Sequence, residues 1–385
     1  MNAFAAHAIR AADVEEQPGY DRWLLGVFVT LLCFGTVMVY SATVASPNKS
    51  LAPNFHHVGM HAAHALAAFT LAFAVAQAPM AWWERLARPL LLVALVALAA
   101  VLVPAVGIEA NGARRWLGLG GWRLQPSEFA KVALVVYSAA YLARQGAKLR
   151  DFTQGVLMIL IVLALVAVLL MLEPDFGSTF VTAMTVVTML FLGGIRFRHF
   201  LMLFGVAAAV LGALVVIAPY RLARVTGFAN PFADPYGSGF QLAQALIAFG
   251  RGEWFGAGLG ASIQKLYFLP HAENDFLLAV IAEELGAVTV LVVIALYGVL
   301  LLRAFAIARQ AEMRGQIFAA RLAQGLSVLL VGQAMIAMGV NLGVFPTKGL
   351  TLPFLSYGGS SLLASGIAVG LLLSVYRNLK RGERT

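Results

Sequence analysis

The chain has 385 residues, 61% of them hydrophobic and only 12% charged, with a mean hydropathy of +0.84, whereas ordinary soluble domains are about half apolar and a quarter charged. That composition excludes a soluble globule; 25 Phe exclude disorder, Gly without a three-residue period excludes a collagen, and the single cysteine, Cys33, excludes a disulfide framework. The formal net charge of +9 must then be read first as membrane topology rather than as affinity for nucleic acid.

A helix crosses the hydrocarbon core with about 20 apolar residues. Stretches of that kind are predicted at 22–43, 58–79, 88–106, 127–144, 152–172, 176–194, 199–219, 276–302, 322–345 and 355–376. The expected fold class is all-α: a polytopic membrane protein with about ten transmembrane helices and a long outer loop, 220–275, between spans seven and eight. Residues 1–21 read as an N-terminal tail, 22–376 as the membrane domain and 377–385 as a C-terminal tail. The first span follows polar, mixed-charge residues without a small-residue cleavage site, so it reads as a retained helix and not a signal peptide. An even number of spans puts both termini on one side. Connections on that side hold most of the Lys and Arg, among them Arg144, Lys148, Arg150, Arg196 and Arg198, so the positive-inside rule makes it cytoplasmic.

The basic residues left on the outer side sit among Gly, Pro and carboxylates, which topology does not require. The first such segment is NGARRWLGLGGWRLQPSEFAK, 111–131. Pro126 suits the first turn of span four, and Glu128 and Lys131 then share a helix face. Capping and an intrahelical ion pair are the plain use of these residues, but charge just inside lipid is costly and points to function. Arg114 and Arg115, followed by Trp116, serve either as an interfacial anchor or as a guanidinium clamp for phosphate. In EPDFGS, 173–178, Pro and Gly make the turn; Glu173 and Asp175 are weak candidates for a divalent cation or simply solvated.

The long loop contains an amphipathic piece at 240–249, with Gln241 and Gln244 on one face able to hydrogen-bond a sugar or amide. The Gly run 250–260 follows no strand, so it is not a dinucleotide fingerprint and reads as a re-entrant, turn-rich backbone. Asp275 opens span eight, either as an N-cap or as a general base at the outer surface. Glu283 and Glu284 follow about 12 Å deeper and need a partner or a proton, for which Lys131 is a candidate. FPTKGLTLPFLSYGGSSL, 345–362, combines small residues suited to helix packing with Lys348 and several hydroxyls facing the outer side. His57, His61 and His64 follow helical spacing, but three histidines on one helix diverge too far for a zinc site and read as packing.

These segments, in this order over about residues 20–376, resemble the SEDS family of polytopic peptidoglycan glycosyltransferases (shape, elongation, division and sporulation). The resemblance rests on NGARRW with LQPSEFAK, on EPDFGS, on NPFADPYGSGFQLAQALIAFGRGEWFGAGLG, on QKLYFLP with NDFLLAVIAEELG, and on PTKGLTLPFLSYGGSSL. The forms QKLYFLP and PTKGLTLPFLSYGGSS are more similar to the family's cell-division member than to its elongation member. The resemblance implies polymerisation of lipid II into a nascent glycan strand, with Asp275 the essential carboxylate. It also implies a substrate- and pyrophosphate-binding set of Lys131, Glu128, Arg114, Arg115, Gln125, Gln241 and Lys348, with a divalent cation, Mg or Mn. The implied partners are a class B penicillin-binding protein, which is a transpeptidase, other division proteins and the membrane, with no nucleic acid; the implied location is the cytoplasmic (inner) membrane at the division septum. The chain departs from the family's PExHTD before Asp275, reading Pro270, His271, Ala272, Glu273, Asn274, so His271 and Glu273 carry no assigned role. Two other readings stay open, a lipid II flippase and a noncatalytic division scaffold; the outer clustering of the charged motifs and the lack of an inverted repeat weigh against the flippase.

Overall fold

The computed structural model describes residues 19–44, 51–110, 112–119, 122–217, 226–234, 237, 239–270 and 272–382; His271 and most of both tails lie outside them. The helices are α1 (Arg22–Val44), α2 (Leu51–Gln77), α3 (Met80–Leu102), α4 (Pro126–Gln145), α5 (Leu157–Leu172), α6 (Phe176–Leu192), α7 (Phe197–Ile217), α8 (Phe240–Gly252), α9 (Leu277–Met313), α10 (Ile317–Asn341) and α11 (Gly359–Gly382). Eight helical stretches among the described residues are long and apolar enough to cross a membrane. The other two expected spans are also helices: α4, with Glu128 and Lys131 in its first turns, and α6, only 17 residues long.

Two expectations need correction. The third helix begins at Met80, not 88, and ends at Leu102. Glu84 and Arg85, which stand ahead of the expected span, lie inside this helix together with Arg88 and Pro89, and Arg85, Arg88 and Pro89 are on its exposed side. The chain that follows is not helical: β1 (Gly107–Ala110), β2 (Ala113–Leu119) and β3 (Trp122–Leu124) form an antiparallel sheet in the order β1-β2-β3. Its register pairs Ala110 with Ala113 and Leu119 with Trp122, and Gly112, in the first turn, has a positive φ of 74°, which glycine adopts without strain.

Helices α10 and α11 are the inner ones, 83% and 78% buried over their spans against 28% for α2 and α3. Exposed Leu92, Val93 and Val96 on α3 and Leu165 and Val168 on α5 are apolar surface of the kind lipid solvates. Small residues let α11 lie close to α2: a Cβ on Gly366 or Gly370 would stand 2.5 Å from the carbonyl oxygen of Ala68 or Ala72.

At one end of the bundle, basic residues tie helix termini together. Arg303 pairs with Asp21, which caps α1 by accepting from the Leu24 amide at 2.8 Å. Arg321 donates to Glu312 and to the Leu192 carbonyl, both at 2.8 Å, and Arg314 to the Leu379 carbonyl. The hairpin, the 173–176 turn and the start of α9 lie at the other end.

Helix α9 is broken at Gly286, where φ is 79° and ψ 177°. The break frees backbone groups that the interior of a membrane protein must satisfy. Residues 253–258 do so: Ala287 and Val288 amides donate to the carbonyls of Glu253 (2.8 Å) and Trp254 (3.2 Å), while the Ala257 and Gly258 amides donate to those of Glu283 and Glu284 (2.9 Å each). The expected re-entrant glycine run is thus threaded into the helix break. A Cβ on Gly286 would stand 2.3 Å from the Trp254 carbonyl oxygen, and one on Gly256 2.2 Å from that of Glu284, so both positions require glycine.

Candidate active site

Pro126 opens α4, where a missing backbone donor is harmless. Lys131 then lies one turn beyond Glu128, and their buried ion pair closes at 2.8 Å. Lys131 also donates to the Gln333 side-chain oxygen of α10 at 2.7 Å, Gln333 donates to the Thr351 carbonyl at 3.0 Å, and the Thr351 and Ser361 hydroxyls meet at 2.8 Å. Beside this chain, Asp175 caps α6: it accepts from the Ser178 amide (3.0 Å) and hydroxyl (2.8 Å) and from the Ser127 hydroxyl (3.2 Å). Gln125 donates from its side chain to Ser127 (3.0 Å) and from its backbone to the Ser360 hydroxyl (2.9 Å), which fixes the entries of α4, α6 and α11 relative to each other.

Asp275 lies in the turn ahead of α9 and is half-buried. The capping task belongs elsewhere: Asn341 accepts from the Ala279 amide (3.2 Å) and donates to the Asp275 backbone carbonyl (2.8 Å). The Asp275 carboxylate faces the 345–358 loop, with one oxygen 3.3 Å from where a Cβ on Gly349 would stand. The neighbouring Lys348 is also half-buried. Its ammonium lies 4.1 Å from the Phe180 ring centroid and 4.8 Å from that of Phe176, and burial brings its pKa down to about 8. The half-buried carboxylate thus meets the loop at the residue that follows a half-buried cation. Nearby, the Tyr357 amide donates to the Glu273 carbonyl at 2.9 Å, and burial, then the Glu273 charge, raises the Tyr357 phenol above its ordinary range.

Other candidate residues are committed to different partners. Lys131, expected to meet pyrophosphate directly, is 3% exposed and enclosed by Glu128 and Gln333. Arg114 pairs with Glu109 across the hairpin at 3.3 Å. Arg115 donates to the Glu173 carbonyl at 3.0 Å and to that of Pro174, pinning the 173–174 turn. Gln241 and Gln244 are half-buried on α8, which packs against α9.

The suggested pairing of Lys131 with Glu283 or Glu284 does not form. Glu284 instead takes the Lys265 ammonium at 2.5 Å and the Ser41 hydroxyl at 2.7 Å. Glu283 takes Arg251 at 2.8 Å, the Ser262 hydroxyl and the Ile263 amide at 3.0 Å. The sequence hid these partners because they come from α1, from the end of α8 and from the re-entrant loop; Lys265, a cation in a loop between apolar helices, was the available signal. His57 and His61 pack on the Tyr357 ring, with centroids 5.9 and 5.8 Å apart.

Glu173 and Asp175 do not fit a divalent cation. The Asp175 carboxylate is spent on capping. Glu173 is buried with no hydrogen-bond partner on either carboxyl oxygen, and burial, then the Asp175 charge, lifts its pKa to about 8, with Arg115 opposing. Among the described residues no three His, Cys, Asp or Glu side chains converge as a metal site. Because the folded-state pKa of Glu173 lies above its unfolded value, its contribution to stability is full below about pH 4.5 and is lost as pH rises to about 8. Glu173→Gln is therefore expected to be more stable than the parent by an amount that grows across that interval, measured by thermal unfolding; a constant difference would remove the neutral-acid assignment.

The fold and this cluster define a multi-pass helical membrane protein with a polar, charged site at the end of the bundle opposite its arginine-rich end. The sequence matches the FtsW/RodA/SpoVE family, described as cell cycle proteins, over residues 22–381, and the chain belongs to that family, the SEDS family of the sequence resemblance. It is 49% identical over 358 residues to a probable peptidoglycan glycosyltransferase FtsW of Nitrosococcus halophilus, covering 93% of this chain and 92% of that one. It is 46% identical to the protein of the same description from Hahella chejuensis, covering 95% and 92%. Among solved structures it is similar to a chain of a peptidoglycan synthase complex studied for its coordination of polymerization and crosslinking (TM-score 0.77, 30% identity, 94% and 98% coverage). It is also similar to the rod shape-determining protein RodA of Thermus thermophilus (TM-score 0.69, 29% identity, 94% and 98%).

Proposed function

We propose that the chain is a peptidoglycan glycosyltransferase that polymerises lipid II at the outer face of the cytoplasmic membrane, with both termini cytoplasmic, during septal wall synthesis. The observation that carries this reading is the Asp275 carboxylate lying against Gly349, the residue that follows the half-buried Lys348. Asp275 takes the proton from the acceptor sugar's 4-hydroxyl as that oxygen bonds to the anomeric carbon of the lipid-linked donor. The bond from that carbon to the prenyl diphosphate breaks, the diphosphate leaves with the electron pair, and Asp275 returns its proton to water. Lys348 stabilises the charge that appears on the leaving group, and the buried Lys131–Glu128 pair supports the site from behind. Arg114, Arg115, Gln125 and Gln241 shape its rim. Mg or Mn would accompany the substrate's diphosphate as its counter-ion. The partner is a class B penicillin-binding protein that cross-links the strand, together with other division proteins.

Purified chain with its transpeptidase partner and lipid II should yield glycan strands in the presence of a transpeptidase-blocking antibiotic. Protein-dependent movement of lipid II across vesicles without strands would favour the flippase, and division rescue without either activity the scaffold. A second measurement tests Lys348. Its cation is full below pH 8 and is lost above it, so activity should fall on the alkaline side near pH 8, and Lys348→Arg should move that limb upward. An unmoved limb would assign the titration to another group.

A further inference from the structure

We propose that Gln333 is a positioning residue that locks the Lys131–Glu128 pair of α4 to the loop presenting Lys348 and Gly349 to Asp275. The inference rests on the glycosyltransferase reading for its kinetic test but not for its structural one.

Gln333 is 4% exposed, at the centre of the most buried helix. Both ends of its amide are used, and the chemistry of its partners fixes which end faces which. The Lys131 ammonium can only donate, so the amide oxygen faces it at 2.7 Å; the Thr351 carbonyl can only accept, so the amide nitrogen faces that at 3.0 Å. Thr351 is three residues from Lys348 and two from Gly349. Its hydroxyl carries the linkage on to Ser361 of α11 at 2.8 Å. Three helices and the loop thus meet through one neutral side chain. Hydrogen-bonded carboxamide geometry, rather than polarity alone, is what the site requires: a carboxylate accepts from Lys131 but repels the Thr351 carbonyl, and an apolar isostere serves neither.

A glutamic acid at 333 in its protonated form is the closest mimic of the amide, its carbonyl accepting from Lys131 and its hydroxyl donating to Thr351. The charged groups that hydrogen bonds join to the position are Lys131 and, through it, Glu128; Lys348 is carried by the same loop as Thr351, and Arg321 of α10 and Arg303 and Glu312 of α9 are paired toward the opposite end of the bundle. Helix α6 has no charged residue and α11 none before Arg377, while Glu283 and Glu284 of α9 are committed to Arg251 and Lys265.

The test uses the full chain in lipid nanodiscs with its transpeptidase partner. Gln333→Met is expected to lower kcat for strand synthesis by about 10- to 100-fold, the scale of an ångström-level misplacement, with KM little changed. Gln333→Glu is expected to be active at the acid end of the pH profile and to lose activity as pH rises, at a lower pH than the alkaline limb near pH 8 expected of the parent. Independently of substrate, hydrogen exchange at the amides of 347–352 should accelerate about tenfold in Gln333→Met, the loss of roughly one hydrogen bond, with α3 unchanged. Parent-like exchange in this loop, or a Gln333→Glu profile parallel to the parent's, would overturn the assignment. Faster exchange in a chain whose parent makes no strands would leave the positioning role standing and remove the enzymatic reading instead.

Discussion

Asp275→Ala is expected to lower strand synthesis from lipid II by roughly 10²- to 10⁴-fold, the contribution of a positioned general base, while membrane abundance and thermal stability stay near those of the parent. The separation of the two readouts follows from the geometry at the start of α9. Asn341 satisfies the Ala279 amide and holds the Asp275 backbone carbonyl, so the helix terminus keeps a cap from another helix when the Asp275 side chain is removed. Equal strand yield from the variant would end the base assignment, and loss of the folded protein would return Asp275 to a structural role. Asn341→Ala gives the reverse pattern, with stability falling first.

The largest stability effect is expected at the Lys265–Glu284 pair. Both side chains are almost fully buried, at 1% and 0% exposure, and the Ser41 hydroxyl completes the cluster. Glu284→Ala removes the carboxylate and strands an ammonium in a low-dielectric interior, at a cost of about 3–5 kcal/mol. Thermal unfolding of the purified chain should report it as a large drop in Tm. Replacing both partners, Lys265→Met with Glu284→Met, should recover most of that loss, because no uncompensated charge remains. A single variant as stable as the parent would show that the pair does not hold the re-entrant loop. The Arg251–Glu283 pair is the milder case, since the arginine side chain is 38% exposed and water already screens it.

The helices were legible because lipid imposes a length and composition that few other environments demand, and the amphipathic α8 was legible through its period. Pro89 and the charges around it obscured the start of α3, where a half-buried carboxylate and exposed arginines read as a break rather than as the polar end of a continuing helix. The hairpin at 107–124 escaped notice because its strands are short. The pairs Asn111-Gly112 and Gly120-Gly121 are the turn signals its sequence carries, set between strands too short to form an apolar run. In the candidate site, the titratable residues announced themselves and their partners did not. Gln333, Asn341, Ser41 and Ser262 are neutral residues in ordinary surroundings, and only the packing of α1, α10 and the loop onto α9 gives them tasks. The same limit explains the mistaken partner for Glu283 and Glu284: Lys131 was the nearest conspicuous cation in sequence character, whereas space supplied Lys265 and Arg251.

The break at Gly286 bears on how the chain assembles in its membrane. A transmembrane helix normally enters lipid with its own hydrogen bonds complete, so that insertion precedes and does not require association with neighbours. Helix α9 cannot do so: four of its junction groups find partners only in residues 253–258, and each left open in hydrocarbon costs several kcal/mol. The re-entrant segment and α9 must therefore enter as one unit, or the junction must stay hydrated until the segment arrives. Either route makes the docking of residues 253–258 a late, cooperative step on which the final placement of Asp275, one short half-helix away, depends.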